Sequence, residues 1–333
     1  MLDTKRRSSF GYVTSLVVTL ISVGVALLLL VNRQYIIDQV YAWQYQPTDQ
    51  ISAFAERTDM SDTGKFLFYA SQPELENAQE FNTECSRIEQ GTAILGCYDG
   101  RKIYIYNVTN PRLDGIRAVT SAHEMLHAAY IRLDDSERTQ LDKLLEVEYD
   151  KLKDTADFSE RMAFYARTEP GERYNELHSI IGTEVKKISP ELEEHYARYF
   201  NDRSKVVQLH LQYASVFAAL QARSQELSRQ LNALADAIES SSAAYNRNVN
   251  QLNQDIAQFN ARANNGDFSS QTEFESERAA LEARANTLDS QRAAISSDRA
   301  RYNELREELL LVASESEALN RSIDSSLAPS PSI

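Results

Sequence analysis

Two histidines stand four residues apart in TSAHEMLHAAY, residues 120–130, with a glutamate directly after the first. On a helix, positions i and i+4 share a face, so His123 and His127 can turn both imidazoles on one divalent cation. Glu124 is then placed to take a proton from a water activated by that ion. The neighbours Ala122, Met125, Leu126, Ala128 and Ala129 are uncharged, as a helix buried beneath an active-site cleft requires. The chain has only five histidines in 333 residues, so composition alone does not readily produce the pattern. The competing reading is an amphipathic helix whose two histidines face solvent or core.

A catalytic zinc takes three protein ligands and keeps a fourth position open. The stretch after His127, AAYIRLDDSER, has neither the glycine nor the third histidine of the metzincin extension. The next helical acidic candidate lies in RYNELHSIIGTE, residues 173–184. Here the chain resembles the gluzincins, H-E-x-x-H metallopeptidases whose third ligand is a glutamate on a downstream helix. Asn175-Glu176-Leu177-His178-Ser179 matches their arrangement of asparagine, glutamate and, three residues later, a small side chain. The resemblance implies zinc held by His123, His127 and Glu176. It also implies a zincin-like fold with a small sheet, and peptide-bond hydrolysis by a zinc-activated water with Glu124 as general base. Glu184 and His178 are rivals for the third position. His178, with Tyr174, is alternatively placed to hydrogen-bond a developing oxyanion, or is a packing histidine. His195 and His210 read as surface residues or supports for the ligands. The resemblance covers residues 61 to 203. It departs from the thermolysin-like pattern at Ile180, where an aspartate would support a ligand imidazole. It further implies that KIYIYNV, residues 102–108, is the edge strand that pairs with an extended substrate.

Those residues need a scaffold, and the rest of the chain reads as mostly helical. Glycine (10) and proline (7) are scarce. TAILGCY and KIYIYNV flank Asp99-Gly100, a hairpin signal, whereas FLFYA (66–70) fits strand or buried helix equally. Asn110-Pro111 ends the second strand, and Asp114 can cap a helix running from Gly115 to Leu133 that contains both histidines. Helices follow from Asp134, around SERMAFYAR, after Glu169-Pro170 and after Ser189-Pro190, with Gly182 placed to end the third. From Val206 to Ala263 there is neither proline nor glycine. Leu231, Ile238, Tyr245, Leu252 and Phe259 recur every seven residues, and after NNGDFSS so do Phe274, Leu281, Leu288, Ile295, Tyr302 and Leu309. Two heptad helices joined by a short polar loop predict an antiparallel coiled-coil hairpin.

The amino terminus points to a membrane. Lys5, Arg6 and Arg7 precede 22 residues, Phe10 to Val31, without a charged side chain. About 20 apolar residues span a hydrocarbon core, and the basic flank predicts a cytoplasmic N-terminus with the remainder outside. The exit LLLLVNRQY lacks a signal-peptidase pattern, which favours an anchor over a cleaved leader. Tyr35, Tyr41, Trp43 and Tyr45 suit the interface. On the oxidising side, Cys85 and Cys97 can bridge. The net charge of −14 excludes nucleic acid as a partner, since phosphate binding needs a basic face.

The expected organisation is a mainly α, α+β chain. A cytoplasmic tail (1–9) leads to a transmembrane helix (10–31) and a juxtamembrane linker (32–60). A zincin-like metallopeptidase domain (61–203), a coiled-coil hairpin (204–325) and a disordered tail (326–333) follow. The expected protein is a single-pass, bacterial cell-surface zinc peptidase acting on protein or peptide, touching lipid through one helix and open to a coiled-coil partner. The rival is an envelope scaffold or interaction protein whose metal site is structural or vestigial.

Overall fold

The computed structural model describes residues 9–85, 93–168 and 171–326. Three expectations fall wholly or largely outside them: the cytoplasmic tail, the Glu169-Pro170 helix start and the terminal tail. The chain is mainly helical with one small sheet, and divides into two compact units, Met1–Val216 with Asn320–Ile333, and Phe217–Leu319.

The first unit begins with α1 (Ser9–Val31). Its Thr14–Val31 stretch has a mean hydropathy of 2.6 and no buried residue, making it the one described helix long and apolar enough to cross a membrane. A signal sequence would meet the same criteria. Only Asn32 separates it from α2 (Arg33–Gln44), and Asn32 N donates to Leu28 O at 3.0 Å while Ile36 N donates to Asn32 O at 3.0 Å. The segment expected as a linker is therefore folded. Beyond α2, α3 (Asp49–Arg57) is capped by Thr48 and sends Ile51, Phe54 and Ala55 into the core. FLFYA resolves as helix: α4 (Asp62–Ala70) is capped by the Ser61 hydroxyl and buries Leu67 and Phe68.

Strands β1 (Glu74–Glu76), β2 (Gly96–Tyr98) and β3 (Ile103–Tyr106) form one sheet in the order β1-β3-β2. β2 and β3 are the expected antiparallel hairpin, with Gly96 opposite Ile105. β1 runs parallel to β3 and sets Glu76 beside Tyr106. Alternation gives the sheet two different faces. Ile103 and Ile105 are wholly buried in the main core, whereas Tyr106 packs on Phe81 of α5 (Ala78–Glu84), ring centroids 5.8 Å apart. Cys85, at the end of α5, is bonded to Cys97 of β2, so the expected disulfide is present.

α6 (Ile116–Ile131) packs between that sheet and α3, α4 and α9 (Arg173–Glu184). Its N-cap is Gly115; Asp114 does not cap it, because Arg57 holds the Asp114 carboxylate in a two-pronged pair at 2.9 and 2.8 Å. Ala118, Ser121, Ala122, Met125, Leu126 and Ala128 are all sealed off from solvent, which is the signature of a central helix. α7 (Asp135–Leu152) starts with a capping box between Asp134 and Glu137. α8 (Ala156–Thr168) and α10 (Pro190–Tyr196) complete the helical layer. α11 (Arg203–Asn265) begins in this unit and continues into the second.

In the second unit α11 and α12 (Gln271–Ile323) are joined by a turn where Phe259, Phe268 and Phe274 pack together. Asp255 pairs with Arg284 at 2.6 Å and Arg262 with Glu277, so partners rise in number on one helix as they fall on the other. Leu288 and Ile295 are buried on the expected register, but Leu305, Val312 and Leu319 replace Tyr302 and Leu309 as the buried positions. A three-residue shift in the repeat produces this change of seam.

Candidate metal centre

The site starts from α6 and α9, which lie in close contact. Gly182 explains how closely: a Cβ there would stand 2.5 Å from Leu126 Cδ1 and 2.7 Å from Tyr196 Cε1. Gly182 therefore does not end α9, which continues to Glu184; it admits the side chains of α6 and α10. With the helices this near, His123 Nε2 lies 3.7 Å from one Glu176 oxygen and His127 Nε2 lies 3.4 Å from the other. One donor atom from each of the three residues falls within 4.8 Å of the others. His127 and Glu176 are buried, and His123 keeps 15 % of its side chain exposed.

Support for the imidazoles comes from residues whose roles the sequence did not reveal. His127 Nδ1 lies 2.9 Å from Asn175 Oδ1 and 3.2 Å from Ser179 Oγ. Asn175 donates its amide Nδ2 to Glu172 at 3.1 Å, so its oxygen is the end that faces the ring. An acceptor there puts the imidazole proton on Nδ1 and leaves the Nε2 lone pair aimed at Glu176. Asn175 and Ser179, one turn apart, thus fill the place expected of an aspartate after Ser179.

Glu124 is 5 % exposed, and burial raises its carboxyl above the ordinary range against the pull of His127 and His123. Burial pushes the His123 imidazole down, but Glu176 and Glu124 outweigh it and the net value is pushed up to about 8. The group therefore favours positive charge in its midst. β2 closes over this part of α6: a Cβ on Gly96 would stand 2.7 Å from Glu124 Oε1 and 2.6 Å from Thr120 Cγ2. The strand at the sheet edge beside Glu124 is thus β2. KIYIYNV, expected at an edge, is central, because the parallel strand β1 covers its other side.

The remaining candidates lie elsewhere. Glu184 is ion-paired with Arg161 of α8 and lies 3.7 Å from His210 Nε2, in a half-buried polar group whose charge also acts on His123. His210 meets Tyr213 Oη at 3.0 Å and is not a surface residue. His178 is wholly buried, stacked on Tyr196 at 5.2 Å, with its Nε2 3.0 Å from His195 Nε2. Tyr174 lies under the Arg173 guanidinium at 5.1 Å. At the far end of α6, Arg132 spans three elements. It grips Asp38 of α2 with two bonds of 2.8 Å, and donates to Tyr98 Oη of β2 at 2.9 Å and to Ala128 O at 2.8 Å.

Zinc–nitrogen and zinc–oxygen bonds of roughly 2.0–2.1 Å in a tetrahedron place neighbouring donors about 3.3 Å apart. The 3.4 Å separation is close to that edge, the 3.7 Å separation runs to the other Glu176 oxygen, and both exceed an ordinary hydrogen bond. The two nitrogens and one carboxylate, with an acidic side chain beside them, fit a divalent cation. Compared with protein-family models, with curated proteins and with solved structures, the chain matches none.

Proposed function

We propose that the chain is a membrane-anchored, extracytoplasmic zinc metallopeptidase of the gluzincin kind, with a zincin-like domain around residues 61 to 203 and a coiled-coil hairpin beyond it. One observation carries this reading: His123, His127 and Glu176 converge at the spacing of a metal's ligands, with Glu124 adjoining. Such an ion, when bound, supplies Lewis acidity and makes a nearby water acidic near neutral pH. The chain's residues do the rest. Asn175 and Ser179 fix the His127 ring, and Glu176 faces both Nε2 atoms. Glu124 takes the proton of the attacking water on a carboxylate oxygen and returns it to the leaving amine nitrogen. The β2 backbone, packed on Glu124, limits how much solvent surrounds that carboxylate.

The setting of the site is part of the proposal. The α1 composition and the basic residues before it support an anchor with the metal site outside the cytoplasm, in a bacterial envelope. The Cys85–Cys97 bridge is consistent with an oxidising compartment. The long helices of the second unit keep one alternative in play, an envelope scaffold or interaction protein whose metal site is structural or vestigial.

The test uses the full-length chain purified in detergent. About one zinc per chain is expected, with cleavage of members of a broad peptide library. Glu124→Gln should keep the metal and lose the cleavage. Zinc bound without cleavage by the wild type would give the scaffold reading precedence, and no zinc at all would remove the peptidase and leave a scaffold with a vestigial site.

A further inference from the structure

The second face of the sheet carries a site of its own. A cavity of about 700 Å³ lies along β1, the sheet edge farther from Glu124, between that strand, the start of α3 and α5. Glu74 and Glu76 project from the face of β1 that bears Tyr104 and Tyr106. Glu80 and Glu84, one helical turn apart on α5, line the same cavity. Among the described residues, only Glu74 of these four carboxylates meets a cation, Lys102. Glu76 is 8 % exposed, and its Oε2 has no hydrogen-bond partner. A buried carboxylate oxygen left without a donor is costly, so the cleft is complementary to a cation that the described residues do not supply.

The geometry also narrows the kind of cation. Calcium binds oxygens at roughly 2.3–2.6 Å, which draws its ligands within about 5 Å of one another. Among the described residues only His123, His127 and Glu176 meet such a limit; the four glutamates do not. Their spread and the cavity's volume suit an extended ligand with more than one positive group. A sheet edge next to acidic walls provides main-chain pairing for a strand and carboxylates for its side chains. A net charge of −14 draws such a ligand in from a distance.

We propose that this cleft is a docking site for a basic peptide segment. It adds a strand at β1 and seats lysine or arginine side chains on Glu76 and on the Glu80–Glu84 face of α5. The site is separate from the metal centre and stands whether or not that centre cleaves peptides.

Fluorescence anisotropy of a labelled, acetylated oligolysine peptide, titrated with the full-length chain in detergent and chelator, tests it. The chelator keeps the peptide intact if the metal site is a peptidase. Saturable binding is expected, weakening as salt rises. Glu76→Gln and, separately, the exposed Glu84→Gln should each weaken it about tenfold. Glu194→Gln, which changes net charge equally on α10, should leave it unchanged. A thermal melt shows whether Glu76→Gln is folded, and Glu84→Gln carries the test if it is not. Equal binding by wild type and both cleft variants would overturn the proposal, as would an equal loss in Glu194→Gln. Calcium binding by calorimetry without chelator, lost in Glu76→Gln and unaccompanied by peptide binding, would replace it with an ion site.

Discussion

Replacing the two groups that hold His127 gives the sharpest check on the proposed metal centre. Asn175 Oδ1 lies 2.9 Å from His127 Nδ1 and Ser179 Oγ lies 3.2 Å away, so either can accept the ring proton when the other is gone. Residues that orient a metal-bound histidine are worth about 10- to 100-fold in affinity. The redundancy places each single variant, Asn175→Ala or Ser179→Ala, near the lower figure, about 1.4 kcal/mol. The double variant should approach the upper one, about 2.7 kcal/mol, because nothing then fixes the proton on Nδ1. Asn175→Asp keeps an acceptor at the same place and should hold zinc as tightly as wild type or tighter. Competition against a chromogenic chelator reads all four proteins, with thermal melts showing that each is folded. A double variant within about twofold of wild type would refute the orientation argument.

Three other perturbations reach different parts of the molecule. Arg132→Met leaves Asp38 charged and buried, its side chain 4 % exposed, and should cost about 3–5 kcal/mol in urea denaturation. Adding Asp38→Asn should recover most of that, and equal losses in the single and double variants would disprove the pairing. Gly182→Ala drives a Cβ against Leu126 and Tyr196; a loss of about 1–3 kcal/mol and weaker zinc binding are expected as α9 moves off α6. Glu76 gives a pH signature. Burial, with Glu74, Glu84 and Glu80, pushes its carboxyl from 4.5 up to about 7. A raised folded value means the folded state holds the proton more tightly. Stability on this account is full below pH 4.5 and is lost as pH climbs through about 7. Glu76→Gln should remove that decline, so melting temperatures at pH 5 and pH 8 should differ less in the variant than in wild type.

What the sequence reveals depends on how local the cause is. HEMLH is legible because i and i+4 share a helical face whatever surrounds it. The β2–β3 hairpin is legible because Asp99 Oδ1 accepts from Arg101 N and Lys102 N, a turn made by near neighbours. β1 is not, since Glu-Leu-Glu is three residues long and glutamate disfavours strands; its parallel pairing with β3 makes it one. FLFYA has no decisive period, and the Ser61 cap followed by burial against α6 makes it helix. Gly182 has the composition of a helix end, yet contacts with distant side chains give it another use. Asp38 and Arg132 lie 94 residues apart, and nothing near either one announces the other.

A single residue, Asn32, stands between α1 and α2, and six positions later Asp38 is clamped to the helix that carries the two histidines. A chain held by its first helix would have no slack to let out. The helix that carries the proposed metal ligands would sit at one fixed height, like a blade on a short post, working only on what passes at that level or rises from the same surface. Flexible residues inserted after Asn32 would widen that reach and loosen the choice of what is met.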